Sequence, residues 1–117
     1  MSKASRGTPI TLSDGRQRLM RYSNGALMDL EDRTGMTVVE HMERVKKGSM
    51  SSIAALVWAG LVDSEPQLTI RDVANLINLR ESKNIGTAIG VAIKEAFGDD
   101  EDEEAAEDAE GKAPAAS

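Results

Sequence analysis

The chain has 117 residues, a formal net charge of −6, one histidine and no cysteine. That length suits a single domain, and the lack of cysteine excludes both a disulfide framework and a thiolate metal site. Residues 99–117 hold nine acids and one lysine, so the first 98 residues carry a small positive balance and the end of the chain is strongly negative.

Residues 1–7 are polar and read as a loose arm. No apolar run follows their charges, so they do not resemble a secretory leader. No stretch approaches the roughly 20 apolar residues of a membrane span, and a cytosolic protein is expected. Next comes PITLSDGRQRLMRY. Asp14-Gly15 is a two-residue hairpin signal, because such turns need positive φ at their centre. That turn sets Leu12 opposite Gln17 and Ile10 opposite Leu19. Ile10, Leu12 and Leu19 then face inward, while Thr11, Arg18 and Met20 face outward. Arg16, Arg18 and Arg21 form a small basic patch.

A first helix starts at Ser23 or Asn24, turns Leu27 and Leu30 inward, and ends at Gly35. A second opens at Thr37 with Glu40 three residues on, a capping box. Val38, Val39, Met42 and Val45 are its apolar side, and Lys46, Lys47 and Gly48 close it. A third starts within Ser49–Ser52. Ile53, Leu56, Val57, Gly60 and Leu61 form its buried stripe, with Trp58 just off it. Pro66 interrupts regular structure. A fourth opens at Thr69, capped by Asp72, and a fifth buries Ile85, Ala88, Ile89, Ala92, Ile93, Ala96 and Phe97. Gly86 and Gly90 inside it each cost about 1 kcal/mol relative to alanine and are tolerable if another helix packs closely there. From Asp99 the chain has no aliphatic side chain larger than alanine, which predicts disorder. The expected fold is mainly α within an α+β class: a short N-terminal hairpin on four or five helices in residues 8–98, then a disordered acidic tail.

No catalytic, cofactor-binding or metal site emerges. His41 sits in mid-helix with no partner at a recognisable spacing, and reads as a solvent-edge residue. Asp29, Glu31 and Asp32 lie on a helix rather than a cation-binding loop. Residues 69–94 have a superficial helix-turn-helix order. However, the IGTAIGVAI of 85–93 lacks the polar side chains that read base edges, so interior packing is expected there and nucleic-acid binding is not. A small DNA-binding regulator that uses this segment stays an alternative reading. Met20, Met28, Met36, Met42 and Met50 cluster between the hairpin and the third helix, where flexible thioethers serve either as core filler or as an adaptable binding surface. Met36, Val39, Met42 and Trp58 are the best candidates for partner contact.

The segments GALMDLEDRTG, LVWAGL and LT-RDVANLI, in this order behind a DGR-containing hairpin, resemble the tail assembly chaperones of long-tailed bacteriophages and gene transfer agents. The resemblance covers roughly residues 8–97. The second strand departs from it, ending in Met20, Arg21, Tyr22 and Ser23 where relatives carry an aromatic-rich run. The resemblance implies a non-enzymatic factor without cofactor that binds the tape-measure protein, keeps it soluble and recruits tail-tube subunits. It implies the bacterial host cytoplasm as its place of action and absence from the finished particle. With the DNA-binding regulator as runner-up, a structural tail-completion protein is a third reading, and self-association is left open.

Overall fold

The computed structural model describes residues 7–98. The expected arm (all but Gly7) and the acidic tail lie outside the described residues. Two short strands, β1 (Thr8–Thr11) and β2 (Gln17–Met20), form an antiparallel hairpin. Five helices follow: α1 (Asn24–Thr34), α2 (Val38–Lys46), α3 (Met50–Leu61), α4 (Ile70–Asn75) and α5 (Ser82–Ala96), with a 3-10 turn at Leu79–Glu81 before α5. None of the described helices is long and apolar enough to cross a membrane.

The starts of α1 to α4 follow from side-chain capping. Ser23 accepts from the Ala26 amide and opens α1, and Ser49 does the same for Ser52 at α3. Thr37 with Glu40 and Thr69 with Asp72 make full capping boxes at α2 and α4, satisfying donors that a helix start leaves open. Gly35 ends α1 in the left-handed conformation at φ 73° and donates to the Glu31 carbonyl, a conformation that costs glycine nothing.

Helix α3 is the axis of the fold. Every residue from Ser52 to Leu61 is buried, so this helix has an apolar surface all round rather than one stripe. The other four helices and β2 pack on it. Its small residues permit that crowding. A Cβ added at Gly60 would meet Met20 Cβ at 3.0 Å and Tyr22 Cζ at 3.2 Å. The chain leaving β2 therefore lies directly on the helix, where the Arg21 amide donates to the Gly60 carbonyl at 2.9 Å. Tyr22 adds a bond from its hydroxyl to the Leu56 carbonyl at 2.6 Å, and burial pushes its phenol pKa upward. Helix α5 turns Ile85, Ile89, Ala92 and Ile93 into the same core, as its period predicts. Its last residues depart from that pattern: Ala96 is exposed and Phe97 is 48% exposed.

The hairpin differs from the sequence expectation by one residue. Ile10 pairs with Arg18 and Thr11 with Gln17. The loop is Ser13-Asp14-Gly15, three residues rather than two, closed by Gly15 N–H to Leu12 O and Leu12 N–H to Arg16 O, with Gly15 at φ 83°. This is a turn followed by a left-handed glycine that inserts a bulge. A one-residue slip exchanges the faces of a strand. Met20 therefore lies in the core at 0% exposure and Leu19 faces outward at 48%. Arg18 also turns inward. Its Nε donates to Glu65 at 2.8 Å and its two terminal nitrogens donate to the Asp14 carboxylate at 3.1 and 2.9 Å. Arg18 is thus no part of a basic patch; it ties the hairpin to the loop after α3. Hydrogen bonds from Arg18 and from the Arg16 amide hold Asp14 at a pKa of about 2.

Candidate functional site

His41 is where a catalytic reading would start, and the structure moves it from the expected solvent edge to the interior at 1% exposure. Three helices meet there. His41 on α2 lies 2.9 Å from Ser52 Oγ on α3 through Nδ1, and 2.9 Å from Thr34 Oγ1 on α1 through Nε2. Arg44 Nε donates to the same Ser52 oxygen at 3.0 Å. Thr34 Oγ1 donates to the Leu30 carbonyl at 2.7 Å.

One proton arrangement satisfies this whole chain. Arg44 donates to Ser52, Ser52 donates to His41 Nδ1, the Nε2–H of His41 donates to Thr34, and Thr34 donates to Leu30. The imidazole is then neutral. Burial, followed by the nearby Arg44 charge, lowers its pKa. A serine beside a histidine is the start of nucleophilic chemistry. Here Ser52 is 0% exposed and its oxygen is already shared between Arg44 and His41. The arrangement has no room for a substrate and acts as a polar clamp joining α1, α2 and α3.

That clamp sets a pH dependence. The unfolded histidine titrates near pH 6.5, and the folded one lies lower. Between the two values the unfolded chain binds more protons, so stability is full above the unfolded value and falls as pH drops through it. Urea unfolding at pH 7.5, 6.5 and 5.5 should show the midpoint falling in the wild type. In His41→Gln, less stable throughout, that part of the profile should be flatter. An unchanged slope in the variant would assign the effect elsewhere.

The four residues expected to contact a partner do not stay together. Trp58 is 2% exposed. Its Nε1–H donates to the Leu68 carbonyl at 3.0 Å, and the Arg33 guanidinium lies 5.3 Å from the ring centroid. It is therefore core, because α3 has no outward side for it to lie on. Val39 is 68% exposed on α2, while Met36 and Met42 are half-buried. Met28 on α1 is a further exposed apolar side chain, at 64%. Its position opposite the buried Ala26 and Leu30 side of α1 was readable from helical spacing.

A cleft of about 350 Å³ opens where the chain leaves β2, between the ends of α3 and α5. Asp63 and Glu95 lie on it, each already accepting from a hydroxyl: Ser23 to Asp63 at 2.6 Å and Thr8 to Glu95 at 3.5 Å. No group of three or more potential metal-ligating His, Asp or Glu side chains occurs among the described residues. The chain matches no family model, no curated protein and no solved structure.

Proposed function

We propose that the chain is a non-enzymatic assembly chaperone of the phage tail type. It binds the tape-measure protein through apolar surface, keeps that long helical chain soluble and helps recruit tail-tube subunits in the bacterial cytoplasm. The observation that supports this most is that two successive helices each expose a large apolar side chain, Met28 at 64% and Val39 at 68%, while Met36 and Met42 stay half-buried. Flexible apolar side chains of this kind accept varied helical stripes. The three segments that carry the resemblance fold as α1, α3 and α4. The buried Ser52–His41 pair offers no open nucleophile for an enzymatic alternative.

Co-expression with the neighbouring tape-measure gene product tests the proposal. The wild type should raise the soluble, co-purifying fraction of that partner. Val39→Asp should reduce recovery about tenfold, equivalent to about 1.4 kcal/mol, with the unfolding midpoint unchanged. No gain in partner solubility, or duplex DNA binding with a steep salt dependence, would overturn it.

A further inference from the structure

Helix α5 carries no acidic residue from Ser82 to Lys94. Its one acid, Glu95, is turned toward β1, where Thr8 donates to it at 3.5 Å. Lys83 and Lys94 are exposed near the two ends of the helix, with no carboxylate at salt-bridge distance among the described residues. They belong to the same side: Lys83, Gly86, Gly90 and Lys94 follow one another at spacings of three or four residues. At Gly86 this side faces α2, because a Cβ there would lie 3.5 Å from Val45 Cγ1. That contact brings the last turn of α2, with Lys46 and Lys47, beside the first turns of α5. Lys46 has Glu43 at 3.9 Å, a long pair with both side chains mostly exposed. The α5–α2 face is thus a basic strip on a domain of nearly balanced charge.

The segment of opposite charge is attached to its end. Nine acids fall within residues 99–110, directly after Gly98, which leaves α5 at φ 76°. From Gly98 back to Lys83 the helix spans about 22 Å at 1.5 Å per residue. An extended chain covers that in about seven residues. The twelve residues 99–110 are therefore long enough to span the length of α5 and the lysines at the end of α2. Tethering gives the segment a high local concentration at a face that attracts it.

We propose that residues 99–110 lie back over this strip and are its resident occupant, so that any partner using the α5–α2 face must displace them. The contact is ionic and solvent-facing, hence strongly screened by salt. This inference stands whether or not the chain binds a tape-measure protein.

Zero-length carbodiimide cross-linking of the full chain, mapped by mass spectrometry, tests it. At low ionic strength, links should join Lys83, Lys94 or Lys46 to acids in 99–110. Their yield should fall about fivefold near 0.5 M salt, where the screening length is only a few ångströms. In Lys83→Ser/Lys94→Ser, the amide signals of residues 99–110 should move toward their high-salt positions. Links confined to Lys3 or Lys112 would overturn the proposal. So would links that form only between differently labelled copies, or a yield indifferent to salt.

Discussion

Trp58→Ala should lower stability by about 4 kcal/mol, a large share of the roughly 5–15 kcal/mol typical of a folded domain. The indole is the largest fully enclosed side chain and lies on α3, against which the other helices pack. Its loss leaves a void in close-packed surroundings that cannot collapse inward on a helix already surrounded. It also strands the Leu68 carbonyl that Nε1–H satisfies at 3.0 Å. Trp58→Phe separates these contributions. It keeps most of the ring and loses the hydrogen bond, and should cost about 1–2 kcal/mol. Denaturation followed by far-ultraviolet circular dichroism, which needs no tryptophan signal, gives both values. A loss below about 1 kcal/mol for the alanine variant would mean that the ring is not enclosed.

Arg18→Ala should cost about 3 kcal/mol. Its side chain is 4% exposed and serves two carboxylates, Asp14 and Glu65, whose exposures are 31% and 14%. Removal leaves Glu65 largely desolvated without its close partner; Arg16, 3.8 Å away and mostly solvent-exposed, replaces little of it. The neighbouring position supplies the contrast. Leu19 points outward at 48% exposure, so Leu19→Ser should change stability by less than about 0.5 kcal/mol. Chemical denaturation midpoints of the two variants decide the hairpin register, because a shift of one residue reverses their order. Asp14 adds an acid signature. Its pKa of about 2 is below the unfolded value, so its contribution is present above that value and lost as pH falls toward 2. In Arg18→Ala that acid-range decline should shrink.

The parts of the fold that were legible in the sequence are those governed by local chemistry. Ser23, Thr37 with Glu40, Thr69 with Asp72, and Gly35 announce helix ends because each bonds within its own few residues. The inward face of α5 was legible from its period. The hairpin register was not. Asp14-Gly15 fits a two-residue turn, and what selects the longer loop includes the bond from Arg16 N–H to the Asp14 carboxylate and the grip of Glu65 on Arg18 from 47 residues away. His41 was misplaced for the same reason. Its partners Thr34 and Ser52 come from two other helices, and only packing brings them to one point. Trp58 sits beside the apolar stripe of α3 and reads as partner-facing only if that helix has an outer side. Five neighbouring elements leave it none.

Helix α3 is enclosed with the isoleucines of α5 turned toward it, and Met28 on α1 and Val39 on α2 stay exposed for a partner. Native-state amide exchange tests this most directly. Amides from Ala54 to Leu61 should exchange only through global unfolding, with Ile89 to Ile93 close behind and the 62–68 loop far faster. Exchange of α3 or α5 at loop-like rates would contradict the enclosed core and the division of surfaces built on it.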